Sequence, residues 1–195
     1  FRSLLGKLED YRAMLSSCDL VVLSDYGKGG LTHIGQMIQL ARRQGKQVLI
    51  DPKGDDYTRY RGATLITPNM NELRQVIGSW SDEGELASRA QALRKKLKLD
   101  ALLLTRSEDG MTLYEPRSVT HELAKAREVF DVSGAGDTVI ASLAVGWVSG
   151  FNLPEACLLA NAAAGVVVAK IGCVPCHYEE AKEALEKLKF FQERA

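Results

Sequence analysis

Residues Leu20–Ile50, LVVLSDYGKGGLTHIGQMIQLARRQGKQVLI, carry the pattern that decides the fold. Leu20-Val-Val-Leu23 and Val48-Leu-Ile50 are short apolar runs without polar alternation, as expected of strands covered on both faces. Between them Thr32 to Gln44 reads as a helix, so the stretch is one β-α-β unit. The rhythm repeats downstream, with strands expected at Thr64-Leu-Ile66 and Leu102-Leu-Leu104 and helices at Asn69 to Ile77 and Glu83 to Lys96. The expectation is an α/β doubly wound fold, its mostly parallel sheet flanked by helices and its crossovers right-handed. Met111 to Tyr114 and Val119 to Leu123, separated by Glu115-Pro-Arg-Ser118, read as a hairpin that ends the parallel series. From Ala135 onward three helices are expected: Ala135 to Ser149, Pro154 to Ala169 and Tyr178 to Phe191, with Pro154 suited to a first turn. No repeat, low-complexity tract or flexible linker divides the chain, which reads as a single domain.

Composition narrows the function. The 195 residues are 46% hydrophobic and 26% charged, an ordinary globular balance. Twenty-five basic residues offset twenty-five acidic ones, so no net field favours nucleic acid or an anionic membrane, and a small-molecule partner is expected. The most apolar stretches, 139–148 and 156–171, fall short of the roughly 20 residues a membrane span needs. The chain begins at Phe1, from which a fragment of a longer protein is expected. Four cysteines, at 18, 157, 173 and 176, suit a reducing cytoplasm better than a disulfide framework. Cys173-Val-Pro-Cys176-His177 matches the pattern of covalent haem attachment. Nothing marks a second axial ligand, and Cys18 and Cys157 form no second pair for zinc, so a proline-bearing turn between two helices is preferred.

The chemistry concentrates at Asp131-Val-Ser-Gly-Ala-Gly-Asp137, followed directly by an apolar run. In Gly134-Ala135-Gly136 small side chains let backbone N–H groups approach a phosphate, and a following helix adds its positive end. Asp137 stands where a carboxylate can take a proton from an attacking hydroxyl. The same residues also suit a glycine turn with Asp137 as helix cap. Thr67-Pro-Asn69-Met70-Asn71-Glu72 carries a carboxylate suited to magnesium, and equally a capped helix start. Asp25 and Lys28, at the end of the first strand, can face a ligand beyond the strands' carboxyl ends. Lys53 can meet a phosphate, although a surface ion pair would explain these basic residues as well.

The string Asp131-Val-Ser-Gly-Ala-Gly-Asp-Thr138 resembles the signature of the ribokinase-like, pfkB-type carbohydrate kinases, and other pieces follow in that family's order. The resemblance implies Asp137 as base and Gly134, Ala135 and Gly136 as anion hole. It implies an Asn-x-x-Glu element, Asn69, Met70, Asn71 and Glu72, organising Mg2+ and nucleotide phosphates through bound water. It places Thr105, Arg106, Ser107 and Gly110 along the nucleotide's ribose and phosphates, although the family often has glycine where Ser107 stands. Asn161 would border the adenine pocket. Asp131 and Ser133 match a loop that binds a monovalent cation such as K+, whereas Gly172-Cys-Val-Pro-Cys176 departs from the Gly-Thr/Ser-rich string expected of a second such loop.

Leu23-Ser-Asp-Tyr-Gly-Lys-Gly29 and Leu49-Ile-Asp-Pro-Lys-Gly54, with Arg59-Tyr-Arg-Gly-Ala-Thr64, narrow the resemblance to the bacterial heptose kinases. This implies ATP-dependent phosphorylation of D-glycero-β-D-manno-heptose 7-phosphate at the anomeric hydroxyl, within a cytoplasmic, dimeric, bifunctional protein of ADP-heptose and lipopolysaccharide synthesis. Asp25, Lys28 and Lys53 become its substrate-binding candidates. Residues 1–195 then read as the carboxy-terminal two-thirds of a kinase domain whose amino-terminal part and β lid are missing, with weak activity expected of this portion alone. Another sugar, nucleoside or vitamin kinase and a non-catalytic nucleotide-binding module are the competing readings.

Overall fold

The computed structural model describes residues 4–124 and 129–192. In chain order the elements are α1 (Leu4–Met14), β1 (Leu20–Ser24), α2 (Ile34–Arg43), β2 (Gln47–Asp51), β3 (Leu65–Ile66), α3 (Met70–Ile77), α4 (Glu83–Lys96), β4 (Ala101–Thr105), β5 (Met111–Tyr114), β6 (Val119–Glu122), α5 (Ala135–Val148), α6 (Leu153–Val168) and α7 (Tyr178–Gln192). The six strands form one sheet in sequence order. Its first four strands are parallel, with Val22 opposite Leu49, Leu49 opposite Leu65, and Leu65 opposite Ala101. This is the mostly parallel, helix-flanked α/β sheet expected from the strand-helix rhythm, and it agrees with the ribokinase-like fold that the resemblance implies.

Burial explains why the apolar runs become strands. Val48, Leu49 and Ile50 are all buried, as are Ala101 to Leu104, so alternate residues of β2 and β4 are covered in both directions. At the sheet edge β1 behaves differently: Val21 and Leu23 are buried while Val22 is 40% exposed. Thr64 closes the entry to β3 by accepting the Val48 N–H (2.8 Å) and a guanidinium N–H of Arg42 (2.9 Å) on its hydroxyl. The strand proper is Leu65–Ile66, one residue shorter than the expected run, although the Thr64 main chain still bonds Val48 O (2.9 Å) and the Ala101 N–H (3.0 Å).

The chain divides into two compact units: Phe1–Leu104 with Tyr114–Val119, and Thr105–Leu113 with Thr120–Ala195. In the first, Ile34, Ile38 and Ala41 form the buried stripe of α2, at spacings that share one helix face. They join Val21, Leu23, Val48, Ile50, Ile66, Leu102 and Leu104 in a continuous core. In the second, α5 buries Val139, Ile140, Leu143 and Gly146. A Cβ at Gly146 would stand 3.2 Å from Ala156 and from the Leu159 side chain, so glycine lets α5 and α6 approach closely. Asn152 and Glu155 form a reciprocal capping box at the start of α6, where Pro154 occupies the first turn. The cysteine segment is the connection from α6 to α7, with Cys173 exposed and Cys176 partly buried.

Candidate functional site

In the second unit the structure puts the glycine string at the mouth of α5. Gly134 is the N-cap residue, with φ 76 and ψ 5, a left-handed conformation that glycine adopts without steric cost. A Cβ there would lie 2.8 Å from Cys173 Sγ. Gly136 differs. Its φ is not positive, and a Cβ added to it meets nothing within 4 Å. The fold therefore favours glycine at 134 but not at 136. Ala135 donates its N–H to Val132 O (3.1 Å), so that amide is engaged, whereas Gly136 lies among the helix-start amides that a helix cannot satisfy internally. Asp137 is exposed at the third helical position, and the N-cap residue Gly134 brings no side chain to cap this helix start.

Asp131 ties two loops together. Its Oδ1 accepts the Ser133 N–H (2.8 Å) and its Oδ2 accepts the Gly172 N–H (3.1 Å). Hydrogen bonds from Ser133, then from Gly172, hold its carboxyl below the ordinary aspartate range. Asn161 is buried on α6, and its amide donates to Leu123 O (2.8 Å), tying the residue after β6 to that helix. In the loop after β4, Ser107 has φ 53 and begins the turn Ser107–Asp109. This is the left-handed conformation in which glycine is favoured, which accounts physically for the glycine found there in similar kinases. Gly110 has φ 88, and a Cβ on it would collide with the backbone of Glu122, Leu123 and Ala124. Arg106 donates to Thr112 Oγ1 (3.3 Å), and Thr105 is half-buried at the end of β4.

In the first unit, Asn69 and Glu72 form a capping box. Asn69 Oδ1 accepts the Glu72 N–H (2.9 Å), and Glu72 Oε2 accepts the Asn69 N–H (3.0 Å). The bland helix-start reading is thus present, and Glu72 does more: its Oε1 meets Lys53 Nζ at 2.9 Å. Met70 packs against the core and Asn71 is exposed. Asp25 is buried at the end of β1, where Oδ2 accepts the Tyr60 O–H (2.8 Å) and lies 3.3 Å from Arg59 Nη2, while Oδ1 accepts the Gly27 N–H (2.9 Å). Burial, then hydrogen bonding to Asp25, raises Tyr60 above the ordinary phenol range, so it remains a donor. Lys28 is exposed beside Asp25, and together with Tyr26 and Leu31 they line a cavity of about 310 Å³.

Sequence reasoning left Tyr60 and Arg59 without a role. Both lie in the Arg59–Thr64 string, where a tyrosine between two arginines after Asp-Pro-Lys-Gly was the available signal. A larger cavity of about 650 Å³, lined by Val145, Phe151, Leu159, Tyr178 and Leu185, holds none of the expected site residues. Its apolar lining and distance along α5 from the glycine mouth suit no phosphate chemistry.

A family model described as pfkB family carbohydrate kinase matches residues 6–181. The chain belongs to the pfkB family of carbohydrate kinases. Among curated relatives, the Bifunctional protein HldE of Alkalilimnicola ehrlichii is 51% identical over 181 residues, 92% of this chain and 38% of its own length. That of Proteus mirabilis is 54% identical over 165 residues, 84% of this chain and 35% of its own. The chain thus spans little more than a third of these relatives. Ribokinase of Arabidopsis thaliana, solved with ribose and ATP, superposes with a TM-score of 0.81 at 22% identity, over 91% of this chain and 59% of that one. Phosphofructokinase-2 of Escherichia coli, solved with potassium, gives 0.80 at 15% identity, over 94% and 62%. These two likenesses establish the pfkB-kinase fold. No helix among the described residues is long and apolar enough to cross a membrane.

Proposed function

We propose that this pfkB-family chain is part of an ATP-dependent kinase that phosphorylates D-glycero-β-D-manno-heptose 7-phosphate at its anomeric hydroxyl, giving the 1,7-bisphosphate used toward ADP-heptose and lipopolysaccharide. The observation that carries this reading is its 51% identity over 92% of its length to a bifunctional HldE protein, which includes the Asp25–Gly29 and Asp51–Gly54 strings that resemble heptose kinases.

In this mechanism Asp137 takes the proton as the anomeric oxygen attacks the γ-phosphorus of ATP and the bond to the β-phosphate oxygen breaks. The helix-start amide at Gly136 and the positive end of α5 stabilise charge on the transferring phosphoryl oxygens. Magnesium, when bound, neutralises phosphate charge between nucleotide and acceptor. Glu72 fits such an ion, because Mg2+ takes one or two carboxylates and fills its remaining positions with water and substrate oxygens. Asp25 and Lys28 orient the sugar, Lys53 holds its phosphate, the loop from Thr105 to Gly110 follows the nucleotide, and Asn161 supports the adenine side. Asp131 and Ser133 form the loop assigned to a monovalent cation.

Asp137→Asn in the full-length protein tests the base. Loss of a general base lowers kcat by at least about a hundredfold. An Asp137→Asn enzyme that folds normally and turns over within a few-fold of wild type would sink the assignment. A coupled ADP-release assay across sugar phosphates tests the acceptor: preference for an unphosphorylated hexose or a nucleoside rejects heptose 7-phosphate.

A further inference from the structure

Both carboxylate oxygens of Glu72 are already committed. Oε2 accepts the Asn69 N–H in the capping box, and Oε1 lies 2.9 Å from Lys53 Nζ. The two partners differ in exposure and in anchoring. Glu72 is held by its cap at the start of α3 and its side chain is only 12% exposed, whereas the Lys53 side chain is 54% exposed. The Lys53 main chain is nevertheless pinned. Its N–H donates to the Tyr60 hydroxyl (3.0 Å), and that hydroxyl also lies 3.0 Å from Lys53 O and 2.8 Å from Asp25 Oδ2. The lysine stem passes the Asp25–Gly29 loop, with Cγ 3.7 Å from where a Cβ of Gly27 would stand. A fixed pivot thus carries a flexible ammonium from Glu72 along the loop that holds Asp25.

We propose that Lys53 is a two-position side chain that couples binding of the acceptor's phosphate to binding of magnesium at Glu72. Without the acceptor, Lys53 neutralises Glu72 Oε1 and repels a cation there. A phosphate dianion attracts the ammonium more strongly than one carboxylate does, draws it off, and leaves Oε1 facing the metal's water shell. With its lysine half exposed to solvent, this ion pair is weak enough to exchange partners without disturbing the capping box. The coupling is reciprocal, so bound metal also tightens the sugar phosphate. This inference rests on the kinase reading above and adds an order of assembly to it. Tyr60 is a positioning residue, since it ties the pivot to Asp25.

The test is Mn2+ binding, followed by electron paramagnetic resonance of the free ion, to the full-length protein with and without heptose 7-phosphate. Wild type binds Mn2+ about two- to fivefold more tightly when the sugar phosphate is present, the range set by an exposed ion pair. Lys53→Met binds Mn2+ more tightly than wild type in the absence of sugar phosphate, gains nothing when it is added, and binds the sugar phosphate roughly tenfold less well, the cost of one charge-assisted contact. A lysine with a merely structural role would weaken both ligands on removal. If Lys53→Met leaves Mn2+ affinity unchanged or lowers it, the proposal is overturned. Wild type that fails to bind heptose 7-phosphate overturns the substrate reading instead, and the comparison without sugar phosphate still decides whether Lys53 blocks Glu72.

Discussion

Replacing Gly134 and Gly136 by alanine, one at a time, separates what the fold needs from what a phosphate needs. At Gly134 the backbone φ is 76, where an L-residue costs about 1 to 2 kcal/mol. The new methyl also falls 2.8 Å from Cys173 Sγ, but that side chain is exposed and can turn away, so little is added. Gly134→Ala should therefore lose roughly 1–2 kcal/mol, a fall in Tm of about 2–8 °C for a domain of this size. At Gly136 neither penalty applies, because φ is not positive and no atom lies within 4 Å. Alanine in a helix is favoured over glycine by up to about 1 kcal/mol, so Gly136→Ala should melt at or above the wild-type temperature. Its methyl instead occupies the space through which a phosphate oxygen reaches the helix-start amide. Losing one hydrogen bond to a charged group costs about 1.5–3 kcal/mol, a fall in Mg-ATP affinity of roughly ten- to a hundredfold. Thermal unfolding and titration calorimetry of both variants in the full-length protein check the two halves. Mg-ATP affinity within twofold of wild type for Gly136→Ala would refute the phosphate cradle, whatever its stability.

Three further outcomes follow from the loops and from α4. Gly110→Ala places a methyl against the backbone of residues 122–124 in a positive-φ position and should cost at least about 3 kcal/mol, measured by urea unfolding. Ser107→Gly removes a left-handed serine at φ 53 and should be neutral or stabilising by up to about 1 kcal/mol, read in the same assay. Hydrogen bonds from Ser81, then the Arg89 guanidinium, pull Glu85 from 4.5 down to about 2. Its folded pKa is depressed, so its contribution is complete above roughly pH 5 and is lost as pH falls toward 2. The stability difference between wild type and Glu85→Gln should shrink across that acid window and stay constant above it.

The parts of the fold written in local pattern were legible. Continuous apolar runs marked β1, β2 and β4 to within a residue or two, because the middles of β2 and β4 are covered on both faces and exclude polar residues, while β1 carries the same apolar run at the sheet edge with Val22 exposed. The helices α2 to α7 began and ended near the expected positions, α4 matching residue for residue, since caps and glycine exits are encoded within a few residues of each boundary. Helix α1 was not foreseen, and nothing in its short charged sequence distinguished it from a loop before its packing was known. The glycine signature and the Asn-x-x-Glu element were visible as strings, yet the string could not tell Gly134 from Gly136.

Sequence alone determined the β-α-β order, the family signature from Asp131 to Thr138, and the residue types available for phosphate and metal. Tertiary structure alone decided their states. Glycine at 134 answers to a backbone angle and a neighbouring sulfur, while glycine at 136 answers to neither. Glu72 is both a helix cap and the partner of Lys53, and Asp25 is a buried acceptor for Tyr60, thirty-five residues away in sequence. Such contacts join strand ends that the sheet brings side by side, and local propensity carries no information about which distant side chain will complete a buried carboxylate's hydrogen bonds.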